Sequence, residues 1–292
     1  MQLSDPIEKA NVLLEALPYL ADFRGEIIVV KLGGSVQEDE RSLVSTLTDV
    51  AFMRVVGMLP VVVHGGGKAI TRAMKEAGVE ARFLNGFRVT DEASIRIVED
   101  VIKNRVNAQI VDILRKAGVD AAALPGDEVF FAVRKTGSDP ATGATLDWGY
   151  VGEAVHCDTG PVRAHLQAGR IPVVCPLGRG ADGRVYNINA DDAAAALAMA
   201  LPSRKLAYVS DVPGLLRDPA DPATLIETLH APDVPELEKA GVIAGGMLPK
   251  IESSLAALRA GVRKVHLVDG RMPHSLLLEI FTPQGVGTQI VK

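Results

Sequence analysis

Ile27-Ile28-Val29-Val30-Lys31-Leu32-Gly33-Gly34-Ser35 is the stretch whose reading decides the fold. Its first four residues are β-branched with no polar alternation, which describes a strand covered on both faces, the habit of parallel sheets in α/β proteins. Ligands of such sheets bind beyond the carboxyl ends of the strands. A lysine and two glycines stand where that ligand would sit. Taken alone, the glycines can equally make a tight turn that leaves Lys31 in solvent, so the rest of the chain has to decide.

The pattern recurs. Val61-Val62-Val63 ends in His64-Gly65-Gly66-Gly67, and helical spacing follows from Lys68 to Ala77 with Gly78 as its stop. With the helical pattern of Ser42 to Val56 between the two strands, the sequence predicts successive βα units, a parallel sheet and right-handed crossovers. Upstream, Ile7, Ala10, Leu13, Leu14, Leu17 and Leu20 or Ala21 recur at helical spacing, an amphipathic helix ahead of the first strand. Downstream, Asn85-Gly86 signals a hairpin. A long helix is predicted from about Asp91 to Lys116, and residues 129–155 read as a β-rich excursion broken at Gly137-Ser138-Asp139-Pro140. Next come a helix near Pro161 to Ala168, a strand from Ile171 to Cys175 and a hairpin through Asp182-Gly183. Asn187-Ile188-Asn189-Ala190-Asp191 opens an alanine-rich helix that Pro202 ends, which places a lobe boundary. The last third repeats the rhythm, with strands at Leu206–Val209 and Val265–Val268 and helices near 235–240, 248–260 and 274–281.

The 292 residues are 48% hydrophobic and 23% charged, enough for one large domain or two lobes. A net charge of -5 argues against a general nucleic-acid binder while leaving room for small anions at a local positive site. Cys157 and Cys175 have neither zinc-site nor disulfide spacing, which fits a reducing cytoplasm. No apolar run approaches the ~20 residues of a spanning helix, and the N-terminus lacks a signal-peptide pattern. A protein of the cytoplasm with no membrane partner is expected.

Glycine clusters between a strand and a helix let backbone N–H groups face an anion. Gly33-Gly34 and Gly65-Gly66-Gly67 are two such clusters, and Gly245-Gly246 precedes a helix whose first turn carries Lys250. Neither G-x-x-x-x-G-K-[ST] nor G-x-G-x-x-G occurs, so a P-loop or dinucleotide fold loses support. Lys31 and Lys250, one from each lobe, suit phosphoryl transfer, in which the protein mainly supplies positioned cations and N–H donors. Both can also be surface lysines. Arg88 can grip a carboxylate bidentately or lie on the wet face of its hairpin. Asp191 can hold the lysines by charge or simply cap its helix. His64 reads as a structural hydrogen-bonder beside the glycines rather than a general base, since a carboxylate acceptor is already ionised near neutral pH.

At these residues the chain resembles the amino-acid kinase family. The likeness runs through KLGG (31–34), VVVHGGG (61–67), GFRVTD (86–91), YNINAD (186–191), SDVPGLL (210–216), GGMLPKI (245–251) and VDGRMPHSLLLEIFTPQGVGTQI (268–290), in the family's order. It implies a three-layer αβα sandwich with a mainly parallel central sheet. Residues 1–22 would be an oligomerisation helix, 23–202 a lobe with the acyl-substrate and phosphoryl site, and 203–292 a lobe for the nucleotide and for arginine. The activity implied is ATP-dependent phosphorylation of the side-chain carboxylate of N-acetyl-L-glutamate in arginine biosynthesis, with Mg2+ carried by the nucleotide and no metal site of the protein's own.

By the same resemblance, Lys31 and Lys250 stabilise the transition state and Asp191 organises them. Gly65, Gly66, Arg88 and Asn187 hold the acetylated amino acid, and Gly33 and Gly34 face phosphate. Asp211, Val212, Gly214, Leu215 and Leu216, with Val242, Ile243, Ala244 and Met247, seat the nucleotide. The N-terminal helix resembles that of arginine-inhibited hexameric members, trimers of dimers, and Lys205, Glu279 and Gly285 match their arginine contacts. Three departures stand out: Ser35-Val36-Gln37, Lys68, and Pro125-Gly126-Asp127-Glu128. They leave two rival readings: a kinase of an acetylated or carrier-bound aminoadipate, or a catalytically weak arginine-sensing protein.

Overall fold

A computed structural model describes residues 4–138, 143–282 and 285–292, with only the backbone given at 4–6, 8–9 and 12–13. The Leu13 side chain, the Asp139-Pro140 break and Pro283-Gln284 of the last motif lie outside the described residues.

Fourteen described strands run in chain order: β1 (Ile27–Leu32), β2 (Leu59–His64), β3 (Phe83–Leu84), β4 (Phe87–Arg88), β5 (Ala121–Leu124), β6 (Phe130–Ser138), β7 (Thr145–Cys157), β8 (Ile171–Val174), β9 (Leu177–Gly180), β10 (Val185–Ile188), β11 (Ser203–Ser210), β12 (Thr228–His230), β13 (Lys264–Asp269) and β14 (Thr288–Val291). The described α-helices are α1 (Ser4–Phe23), α2 (Gly34–Glu38), α3 (Glu40–Val55), α4 (Gly67–Glu76), α5 (Glu92–Asp100), α6 (Asn107–Lys116), α7 (Gly160–Gln167), α8 (Ala190–Ala200), α9 (Val234–Lys239), α10 (Met247–Arg259) and α11 (Ser275–Phe281).

Eight strands form one sheet in the order β12-β14-β13-β11-β1-β2-β8-β5. Every neighbouring pair is parallel except β13 with β14, so the sheet is mainly parallel, as expected. The alternation along β1 feeds two cores. Ile28, Val30 and Leu32 pack into one with α3 and α6, while Ile27 and Val29 pack into the other with α8 and α10. This gives the αβα sandwich. The chain leaves β1 toward β2 on one side and returns as β11 on the other, so the order reverses at β1, the place where such sheets bind ligands. The sheet runs unbroken across Pro202, because β11 pairs with β1 directly.

The β-rich excursion closes into a small barrel, β10-β7-β6-β9. The Asn85-Gly86 hairpin is present as β3–β4, with Asn85 at φ 50° and Gly86 at φ 80°, the left-handed pair that a two-residue turn of this hand requires. The helix expected from Asp91 to Lys116 contains a π-helical segment, Val101–Val106, between α5 and α6. Three strands escaped sequence reading. Ala121–Leu124 is short and mostly alanine, and β12 and β14 are defined only by pairing with distant partners.

Candidate active site

Three carboxyl ends of neighbouring strands meet at the order reversal. Lys31 is the second-last residue of β1 and sits in register with Val63 of β2 and Tyr208 of β11. Beyond it, the Gly33 N–H donates to the Val209 carbonyl at 2.7 Å, and a Cβ on Gly33 would stand 2.9 Å from that oxygen. Only glycine lets the chain pass so close to β11 before turning into α2. The Leu32 carbonyl accepts from the Gly65 N–H at 3.2 Å and from the Gln37 side chain at 3.0 Å, which ties the two glycine turns together.

Asp191 joins the two lysines. Its Oδ1 lies 2.7 Å from Lys31 Nζ and its Oδ2 accepts a 2.8 Å hydrogen bond from Lys250 Nζ. The lysine side chains are 10% and 11% exposed, so this is a charged triad largely withdrawn from water. Burial opposes ionisation of Asp191, but the two ammonium charges outweigh it and hold the carboxyl down to about 2. Burial pulls Lys250 below its ordinary range, aided by repulsion from Lys31 and countered by Asp191. Asp191 does not cap α8. Asn189 does so, its Oδ1 accepting from the Asp191 and Asp192 N–H groups at 2.8 and 3.3 Å. The capping role open to Asp191 in the sequence is thus filled by its neighbour, and the aspartate is left to the lysines.

Beside the triad is a cavity of about 370 Å³, lined by Lys31, Gly65, Gly66, Gly67, Arg88 and Asp191 among others. Arg88 is 7% exposed. It donates to the Gly67 carbonyl at 2.9 Å and to Thr71 Oγ1 at 2.7 Å, and stacks 4.6 Å from the Phe83 ring. No carboxylate pairs with it among the described residues, and burial lowers its pKa. A buried guanidinium with neutral partners is a site for an anionic ligand. Asn187 lines an adjoining cavity of about 200 Å³ that shares Gly65, Gly66 and Arg88. Lys31, Asp191, the glycine turn and the buried Arg88 therefore open onto one region, and Lys250 is tied to it through Asp191.

The amino acid kinase family model matches residues 26–269. The chain belongs to the amino acid kinase family. It is 46% identical to an acetylglutamate kinase of Akkermansia muciniphila over 98% of this chain and 96% of that protein. It also resembles solved structures of an N-acetylglutamate synthase of Neisseria gonorrhoeae. One, complexed with coenzyme A and N-acetyl-glutamate, has TM-score 0.82 and 29% identity, covering 96% of this chain and 62% of that one. Another, complexed with coenzyme A and L-arginine, has TM-score 0.78 and 28% identity, covering 95% of this chain and 64% of that one.

The residues expected to seat the nucleotide fall in two places, after β11 and around the start of α10. Val242, Ile243 and Ala244 lead into α10, where Met247 is the first residue and its N–H donates to the Ala244 carbonyl at 3.1 Å. Asp211 follows β11, and its charge partly opposes the lowering of Lys250 by burial. Val212 is half-buried, and Leu216 forms an isolated bridge with Leu225. Leu215 and Ile243 are core residues, and Gly214, at φ 144°, sits where a Cβ would meet Thr288 Oγ1 at 2.5 Å. These three can serve a nucleotide through backbone or by shaping the loop.

Lys205 of β11, Glu279 of α11 and Gly285 come together next to the end of α1. Lys205 Nζ lies 4.9 Å from the Phe23 ring, and burial and the nearby Lys264 push it down to about 8. Glu279 Oε1 is 2.6 Å from His266 Nδ1, and its Oε2 accepts from the Val286 and Gly287 N–H groups. A Cβ on Gly285 would fall 2.5 Å from Glu279.

Sequence reading gave no part to Tyr208 or Thr71. The buried Tyr208 ring lies 4.7 Å under Lys250 Nζ, a cation–π contact whose only signal was its place at the end of a buried strand. Thr71 needed the fold, since it lies 17 residues from the Arg88 it positions. The departures fall mostly outside the triad. Gln37 ties the glycine turns, Lys68 lines the cavity, and Asp127 forms ion pairs with Lys103 and Arg179.

Proposed function

We propose that this protein transfers the γ-phosphoryl group of ATP to the side-chain carboxylate of N-acetyl-L-glutamate, giving an acyl phosphate in arginine biosynthesis. The observation that carries the reading is a buried Lys–Asp–Lys triad whose Lys31 and Asp191 line the same cavity as a guanidinium with no carboxylate partner among the described residues.

Arg88, with Asn187 beside it, grips the α-carboxylate end of the acetylated amino acid and leaves the side-chain carboxylate facing Lys31. A carboxylate oxygen attacks the γ-phosphorus in line, the bond to the β,γ-bridging oxygen breaks, and ADP leaves with the electron pair. No proton moves, so no general base is required. Lys31 meets the charge on the acceptor side and Lys250 that on the nucleotide side, while Asp191 keeps both aimed. The Gly34 and Gly66 N–H groups, set by the two glycine turns, add donors to the transferring group.

Magnesium is read as arriving with the nucleotide, where it neutralises phosphate charge. Asp191 is engaged by both lysines, and phosphate oxygens and water suit the ion as donors. Residues 203–292 are assigned to nucleotide and arginine, and residues 23–202 to the acyl substrate.

Regulation is proposed on separate grounds. Ile7, Leu14 and Leu17 of α1 are 57%, 63% and 56% exposed, an apolar stripe without cover on the single chain, and the last turn of the same helix meets Lys205 through Phe23. Packing of α1 against its copy would make a ring of three dimers, and arginine would sit among Lys205, Glu279 and Gly285.

Hydroxylamine trapping tests the activity. With Mg-ATP, N-acetyl-L-glutamate should give a hydroxamate and its aminoadipate homologue should give little. Efficient use of the longer substrate and none of the shorter would overturn the assignment.

A further inference from the structure

The geometry points to His64 and Asn107 as positioning residues for the phosphoryl site, acting through the Gly65–Gly66 peptide; the inference rests on the function proposed above.

His64 is wholly buried at the end of β2, and its Nδ1 lies 2.8 Å from the Gly65 carbonyl oxygen. A carbonyl only accepts, so Nδ1 carries the proton and Nε2 is left with a lone pair. Asn107 meets that lone pair with its amide nitrogen at 3.1 Å. The same nitrogen lies 2.8 Å from the Val173 carbonyl and 3.2 Å from Cys175 Sγ, so the amide has one sensible orientation. Turning it over would set its oxygen against three electron-rich atoms. In this orientation Asn107 Oδ1 is buried with no partner among the described residues, a penalty the arrangement tolerates in order to keep the donor in place. Burial holds the imidazole down to about 4, so the ring is neutral and the tautomer is fixed by its partners alone.

The consequence lies in the next peptide. The Gly65 carbonyl and the Gly66 N–H belong to one planar trans unit and point in opposite directions. Drawing the carbonyl toward the buried ring aims the Gly66 N–H away from it, toward the cavity shared with Lys31 and Asp191. That N–H has no acceptor among the described residues. The π-helical segment supports the same peptide from the other side. It ends at Val106, where the Asn107 N–H donates to the Ile102 carbonyl, and Ile102 Cγ1 would lie 3.2 Å from a Cβ on Gly66. The wide turn therefore places both the amide that orders His64 and the side chain that packs on Gly66, in keeping with the frequent use of such turns near sites.

The test is made on the full chain with Mg-ATP and N-acetyl-L-glutamate. His64→Leu should lower kcat about 10- to 100-fold, somewhat less than outright loss of an oxyanion-type donor, with KM for N-acetyl-L-glutamate within about twofold of wild type. His64→Asn keeps a donor near the Nδ1 position and should recover most of kcat. A purely structural role would lower the unfolding midpoint of both variants without this split. Histidine-selective ¹⁵N spectra of the wild type should show the Nδ1–H tautomer for His64, with a signal that disappears in His64→Asn. A folded His64→Leu protein with wild-type kcat would overturn the inference. So would an Nε2–H tautomer in the wild type, a readout that stands even where His64→Leu does not fold. Absence of hydroxamate from the wild type would instead strike the substrate assignment.

Discussion

Asp191→Asn isolates the part of the site on which the chemistry depends. The substitution keeps the shape of the side chain and removes the charge that lies 2.7 and 2.8 Å from the two ammonium groups. One effect falls on stability and one on position. The native carboxyl is held at about 2 against an ordinary 3.8, which corresponds to about 2 kcal/mol of folding free energy at neutral pH. The two ammonium groups, no longer bridged by a carboxylate, repel one another, a repulsion the lysines relieve by moving apart. That movement is the catalytic loss, because a misplacement of about 1 Å costs on the order of 10² in rate. Hydroxamate assays should show kcat down about 10²-fold or more, and urea melts at pH 7 a loss of about 2 kcal/mol. The pH dependence has a definite sign. A depressed carboxyl stabilises the native state above its ordinary pKa and ceases to do so as pH falls from about 3.8 toward about 2, so the stability gap between wild type and variant should narrow on acidification. A variant with turnover within threefold of wild type and an unchanged urea midpoint would refute the triad as the organiser of the site.

Lys31→Ala and Lys250→Ala should each lower kcat about 10²-fold or more in the same assay, the scale of one preorganised charge. Arg88→Ala should act mainly on KM for N-acetyl-L-glutamate, and isothermal titration should show the binding loss directly. Deleting residues 1–22 should convert a hexamer into active dimers that lose most inhibition by arginine, and Glu279→Ala should lose inhibition while staying hexameric, both followed by light scattering and kinetics. Cys157 and Cys175, with thiols pushed up by burial to about 11 and about 12, should resist alkylation at pH 7.5 in the native protein and react once it is unfolded.

Two glycine clusters, each following a run of buried β-branched residues, carried the sheet, its direction and the place of the site, because local pattern determines what a covered strand and its exit turn look like. Lys31 and Lys250 were legible for the same reason: each stands at a strand end or helix start where an anion would lie. For Asp191 the residues alone left two parts open, holding the lysines by charge or capping α8, and the family resemblance pointed to the first. Choosing between the two from position alone requires knowing that Asn189 caps the helix and that two lysines, one from β1 and one from α10, converge on Asp191. The pairing of Arg88 with Thr71 and with no carboxylate among the described residues, the cation–π shelf of Tyr208 and the link from Asn107 to His64 depend on segments apart in sequence, which periodicity does not encode. The π-helical segment was hidden for a different reason. Its residues keep ordinary helical amphipathicity, and only the backbone bond from Asn107 to Ile102 reveals the extra residue in the turn.

The direct test follows the oxygen. N-acetyl-L-glutamate labelled with ¹⁸O in its side-chain carboxylate is turned over with Mg-ATP in the presence of hydroxylamine, and the released phosphate is read by mass spectrometry. If the carboxylate attacks the γ-phosphorus, hydroxylamine then breaks the carbonyl–oxygen bond and each phosphate carries one ¹⁸O. Lys250→Ala should slow the appearance of labelled phosphate without altering the label it carries. Phosphate free of ¹⁸O, formed at the same rate with or without the acetylated amino acid, would show that water rather than the carboxylate is the acceptor and would contradict the account.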